Sequence, residues 1–111
     1  MKRTTKILMS LAVMSITACT PEEIIILHFG GDAPAAIAVA NCESGMNPAA
    51  VSPGGGNHGL FQINSVHRAS FEEVTGVPWS YRYDPGPNAM FAKWLFDQQG
   101  WQPWSCRRVL G

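Results

Sequence analysis

The order of polar and apolar positions separates the start of this chain from the rest. Lys2, Arg3 and Lys6 precede an apolar run from Ile7 to Ile16. A charged start followed by an apolar stretch too short to span a bilayer marks an export signal. Residues 1–18 are therefore expected to be a signal peptide, 20–32 an N-terminal helix with its connection, and 33–111 the main domain. Thr20 can cap a helix over Pro21–Phe29, with Pro21 in its first turn and Glu22 and Glu23 where the helix dipole favours anions. Ile24 to Leu27 and Phe29 make that helix apolar over most of its surface, so it has to bury itself in the domain or rest on a membrane, and Gly30-Gly31 should end it.

Asp32 is expected to cap a second helix, with Pro34 in its first turn and Ala35 to Cys42 as its body. Ala36, Val39 and Glu43 fall on one helical face, so Glu43 lies in the last turn and close to the interior, with Gly45 as the stop. Met46 to Asn57 reads as loop. Leu60 to Asn64 alternates as a half-buried strand does, with Gln62 and Asn64 on one face and Phe61 and Ile63 on the other. Ser65 to Thr75 should be helical, and a loop then runs through Val77-Pro78 to Asp84-Pro85-Gly86-Pro87. Asn88 to Gln99 is the best amphipathic helix, with Met90, Phe91, Trp94 and Leu95 at helical period and Gly100 as its stop. The pattern implies a mostly helical α+β domain with a small strand region lining a cleft.

Composition narrows the function classes. The chain has 111 residues and zero formal charge, enough for one domain. Apart from Lys2-Arg3 and Arg107-Arg108 the basic residues are scattered, which gives no nucleic-acid footprint. Three scattered histidines make a poor metal cage, so neither a metal nor any other cofactor is expected. The domain is expected to act as a monomer.

Cysteine use points to an oxidising compartment. Ile16-Thr17-Ala18-Cys19 is similar to a bacterial lipoprotein box, in which the cysteine is lipidated and begins the mature chain. This reading attaches the protein to a membrane through Cys19; plain secretion and an uncleaved anchor are the alternatives. With Cys19 lipidated, Cys42 and Cys106 are left as one pair. A bridge there would contribute roughly 4 kcal/mol on the loop-entropy model, a large share for a domain with a thin core. The other reading of Cys42, as a reactive thiol, lacks a clear histidine partner.

Glu43 is the residue with the most chemistry. Glycosidic cleavage needs a proton donor at the leaving oxygen, and burial of a carboxyl group favours its protonated form. Spacing alone leaves Glu43 equally open to that role and to a plain helix-end carboxylate in a salt bridge or in solvent. Gln62 and Asn64 suit hydrogen bonding to sugar hydroxyl or N-acetyl groups, or else form a solvated strand face. His58 and His67 are either polar cleft residues or structural ones. Trp79, Trp94, Trp101 and Trp104 read mainly as core, with room for one exposed ring to stack on a sugar.

Taken together, Glu43-Ser44, Asn47-Pro48-Ala49-Ala50 and Gly59-Leu60-Phe61-Gln62 resemble the lysozyme-like superfamily. The similarity is to its soluble lytic transglycosylase and resuscitation-promoting-factor type of domain, and it runs from about Ala33 to Cys106. The tail Gly100-Trp101-Gln102-Pro103-Trp104-Ser105-Cys106 resembles the end of actinobacterial members. The resemblance implies Glu43 as catalytic acid/base, Ser44, Asn57, Gln62 and Asn64 as substrate-binding residues, and a Cys42–Cys106 disulfide. It also implies peptidoglycan glycan strands as the partner, in an exported protein of a bacterial envelope or of a bacterial virus. Animal lysozymes carry an Asp two residues before the glycine of the strand motif, where this chain has Asn57. Asp84, Glu72 and Glu73 sit in no matching motif. A single-acid route with a 1,6-anhydromuramyl product is therefore expected, the alternatives being a hydrolytic muramidase and a non-catalytic peptidoglycan-binding module.

Overall fold

A computed structural model describes residues 19–111; the export-signal expectation for residues 1–18 lies outside the described residues. Helix α1 spans Pro21–Phe29 and begins with a complete capping box. Thr20 Oγ1 accepts from Glu23 N–H at 3.1 Å, and Glu23 Oε1 accepts from Thr20 N–H at 3.0 Å. These bonds hold the Glu23 carboxyl below its usual range, the backbone bond contributing most. Ile25 and Phe29 are fully buried, whereas Ile26 and Leu27 face outward. Pro21 to Ser44 is apolar and long enough by composition alone to cross a membrane. Here the run is broken at Gly30 and contributes Ile25, Phe29, Ala33, Ala36, Val39 and Ala40 to the core.

The second helix, α2 (Ala33–Ser44), starts differently from the expectation. Asp32 sits at its N-terminal boundary but makes no side-chain cap. A 3-10 turn over Gly30–Asp32 carries a near-helical backbone into α2, and the Ala33 N–H bonds to the Gly30 carbonyl instead. The continuous backbone takes over work that an Asp cap would otherwise do. At the other end Gly45 adopts a left-handed conformation, φ 64°, and returns its N–H to the Asn41 carbonyl.

The strand expected over Leu60–Asn64 is corrected to two residues. β1 (Asn57–His58) and β2 (Ile63–Asn64) pair antiparallel, Asn57 opposite Asn64 and His58 opposite Ile63. Gly59 to Gln62 form a turn, closed by the Gln62 N–H on the Gly59 carbonyl at 3.1 Å. Both Gly59 (φ 77°) and Gln62 (φ 52°) lie in the left-handed region, which no regular strand can contain. The expected burial survives without the strand: Phe61 and Ile63 are buried, Gln62 and Asn64 partly exposed.

A 3-10 turn over Ser65–His67 leads into α3 (Arg68–Thr75), and another over Trp79–Tyr83 precedes α4. Helix α4 spans Pro85–Gln99, so Pro85 to Pro87 belong to its first turn rather than to a loop. Asp84 caps it by accepting from the Gly86 N–H at 3.3 Å, and Pro85 tolerates the first helical position because no N–H is needed there. Its buried face is Asn88, Phe91, Ala92 and Leu95 together with Ala89. Met90 and Trp94, expected on that face, stand on its exposed flank. α1 packs on α2 and α4, and α2 packs on the C-terminal 3-10 turn Ser105–Leu110. Phe29, Phe61, Phe96, Trp101 and Trp104 interlock at the centre.

Candidate active site

A cleft of about 210 Å³ opens between the end of α2, the short sheet and the C-terminal turn. It is lined by Glu43, Asn57, Gln62, Ile63, Asn64, His67, Leu95, Pro103, Trp104 and Ser105. Of the substrate-contact residues expected from sequence, the structure brings Asn57, Gln62 and Asn64 together with Glu43. Ser44 does not line it.

Glu43 is set by the chain on both sides of it. Cys42 is bonded to Cys106 across 64 residues, with Cα atoms 5.9 Å apart. Beside that bridge the Cys106 N–H donates to Glu43 Oε2 at 3.1 Å. One carboxylate oxygen is thereby held against the C-terminal turn, and Oε1 is left for a ligand. The next residue secures the opposite wall. Ser44 Oγ lies 2.7 Å from the Leu60 carbonyl and 3.0 Å from the Ala40 carbonyl, so its O–H ties the end of α2 to the turn after β1.

The amides of the short sheet are partly committed. Asn64 Nδ2 donates to Asn57 Oδ1 at 2.9 Å, and Asn64 Oδ1 accepts from the Val66 N–H at 3.0 Å. This leaves the Asn57 amide hydrogens as donors for the cleft. Gln62 Nε2 donates to the carbonyls of Ala50 (3.1 Å) and Gly59 (3.0 Å), leaving Oε1 as an acceptor. Those two bonds also hold Gln62 in its left-handed conformation, which costs about 1–2 kcal/mol in a non-glycine residue. The Ala50 carbonyl further accepts from the Gly59 N–H at 2.7 Å, and Asn47 Oδ1 accepts from the Ala49 N–H at 3.0 Å. The three sequence motifs thus knit into one scaffold through Ser44–Leu60 and Ala50–Gln62.

Asn88 was not singled out by sequence reasoning, yet it holds this turn from beneath. It is fully buried on α4. Its Oδ1 accepts from the Phe61 N–H at 2.8 Å, while Nδ2 donates to the carbonyls of His58 (3.1 Å) and Arg82 (2.9 Å). Its one sequence signal is a polar residue at the helical period of Phe91, Ala92 and Leu95. Trp104 closes the floor, donating from Nε1 to the Phe61 carbonyl at 2.9 Å.

The histidines divide. His58 is buried and structural: Nδ1 lies 2.9 Å from Tyr83 Oη and Nε2 3.0 Å from Ser65 Oγ. Every group is satisfied when Tyr83 donates to Nδ1 and Nε2–H donates to Ser65, whose hydroxyl reaches the Gly56 carbonyl at 3.3 Å. Burial, and secondarily the Arg82 charge, hold its imidazole below the ordinary histidine range. His67 lines the cleft with its ring 5.4 Å from that of Phe91, and burial lowers it too. Among the described residues no cluster of His, Cys, Asp and Glu is arranged to hold a metal ion.

A cleft with one acid, three side-chain amides and an aromatic floor can bind a polar ligand with apolar ring faces and deliver one proton to it. Comparison with known proteins finds a match to a family model described as a lysozyme-like domain over residues 27–106. No curated protein and no solved structure matches the chain.

Proposed function

The chain belongs to the lysozyme-like domain family, and from that premise we propose that it is a lytic transglycosylase. It cleaves the MurNAc–GlcNAc β-1,4 bond of peptidoglycan with Glu43 as its one catalytic acid. The observation that carries this reading is the lining of the cleft: Glu43 is its one carboxylate among the described residues, and Asn57 lines the same cleft. A two-carboxylate mechanism needs a second acid within reach of the scissile bond. A single acid can instead serve twice. Glu43 gives its proton to the glycosidic oxygen as the C1–O bond breaks, and the substrate's N-acetyl group stabilises the sugar cation. The Glu43 carboxylate then takes the proton of the muramyl 6-hydroxyl as that oxygen bonds to C1. Both half-steps balance, and the acid returns to its starting form.

Asn57 donates to the acetamido carbonyl and holds it near C1, Gln62 and Asn64 bind neighbouring sugar groups, and Ser44 acts by holding the α2 end. Digestion of purified peptidoglycan followed by mass spectrometry of the fragments tests the reaction. Anhydromuramyl ends support it, reducing ends indicate a hydrolytic muramidase, and binding without fragments indicates a non-catalytic module. Glu43→Gln should lower cleavage by about 10²–10⁴-fold, since the variant lacks the carboxyl proton that the leaving oxygen takes up. Full activity of Glu43→Gln would remove Glu43 from the mechanism.

The same reading places the protein outside the cytoplasm, supported by the Cys42–Cys106 disulfide. We extend it to a lipid anchor at Cys19, which is exposed at the start of the described residues. Radioactive palmitate should label the chain and fail to label Cys19→Ala.

A further inference from the structure

The cleft is small for a polymer. Its volume of about 210 Å³ falls below the roughly 300–1,000 Å³ of pockets that enclose a drug-sized ligand. A glycan strand seated there must run out over the adjoining surface, and the character of that surface decides how much strand is recognised. The lining residues include His67 and Leu95. The residue before Leu95 on α4 is Trp94, which is 36% exposed. Its ring centre lies 5.5 Å from that of Phe91, and the His67 ring lies 5.4 Å from the same Phe91. Phe91 is fully buried and braced by Phe71 at 5.7 Å. His67, which lines the cleft, and Trp94, which does not, therefore rest on one buried ring.

We propose that Trp94 is a sugar-stacking platform that extends the glycan site past His67, so that the protein recognises strands longer than its cleft can hold. The inference rests on the reading of the cleft as a glycan site. A pyranose ring presents a face of C–H groups that suits the electron-rich face of an indole, and the adjoining hydroxyls suit a neighbouring imidazole. The indole needs little ordering, because Phe91 already supports it. A protein partner fits less well: the exposed large apolar residues of α4 are Met90 and Trp94, a single helical turn, and stable protein interfaces need roughly 800 Å² on each side.

Calorimetric titration of the Glu43→Gln chain with N-acetylglucosamine oligomers, from dimer to hexamer, tests the cleft and the platform separately. The dimer should bind in the cleft and the hexamer more tightly. Trp94→Ala in that background should leave dimer affinity unchanged and cost the hexamer about five- to tenfold. Trp94→Tyr should recover most of the loss. The Trp94 indole N–H resonance, identified by its absence in Trp94→Phe, should shift with hexamer and not with dimer. An undiminished hexamer advantage in Trp94→Ala overturns the platform while the cleft assignment stands. Absence of binding at every length overturns both. Equal losses for dimer and hexamer mean that Trp94 supports the fold, and they too overturn the platform.

Discussion

At the scale of single residues, the cleft depends on a side chain that never reaches it. Asn88 bonds the backbone on both sides of the Gly59 turn, and the turn approaches so closely that a Cβ on Gly59 would lie 2.4 Å from Asn88 Nδ2 and 2.7 Å from the Arg82 carbonyl. Gly59 also needs its positive φ of 77°. Gly59→Ala should therefore destabilise the domain by about 3 kcal/mol or more, from left-handed strain and loss of buried hydrogen bonds together. Denaturant titration reads the change directly, and a loss under 1 kcal/mol would contradict this packing. Glu43 and the Gly-Leu-Phe-Gln motif were legible in the sequence because residue type and order carry them. Asn88 was not, since a buried amide looks like any polar residue until its partners, 27 and 30 residues away, fold over it.

At the scale of elements, helix ends and stops were the most legible feature. Local rules for Thr20, Pro21, Gly45 and Gly100 act within one turn, so α1, α2 and α4 end where those residues predict. The Leu60–Asn64 strand failed for the complementary reason. Alternating polarity records which side chains are buried, and a turn gripped by Asn88 and by Ser44 buries Phe61 and Ile63 equally well. Met90 and Trp94 share the helical period of the buried face of α4, but among the described residues no element covers them. One bond joins elements that local rules cannot connect: Cys42–Cys106 fastens the α2 end to the C-terminal turn. Replacing both cysteines by alanine should cost about 4 kcal/mol by the loop-entropy model. Activity should also fall at temperatures where the variant remains folded, because the Cys106 N–H that holds Glu43 loses its anchor. Activity measured beside circular dichroism separates the two effects. Unchanged activity in the folded variant would show that the hydrogen bond alone positions the acid.

At the scale of the whole molecule, burial is spread over one core from Ile25 to Cys106, and it sets how the protein answers to acid. His28 and His67 are held below the ordinary histidine range by burial, and His58 by burial and then by Arg82. A histidine kept neutral in the fold still takes up a proton when unfolded, below about pH 6.5. Unfolding thus binds protons, and stability falls as pH drops from about 6.5 towards the lowered folded-state values, with no contribution from these groups above that window. Each histidine adds a slope of at most about 1.4 kcal/mol per pH unit. Denaturant midpoints between pH 5 and 8 should show this decline, and His58→Gln should flatten it; a pH-independent midpoint would contradict the burial of these rings. The sequence by itself determined the helical α+β class, most helix ends, the acid at the end of α2 and the amide at Asn57, because each is written in neighbouring residues. Tertiary structure decided the rest. Which amides face the cleft, which histidine is structural, what holds Glu43 and where Trp94 stands all depend on contacts between residues distant in the chain, and those exist only once the core has closed.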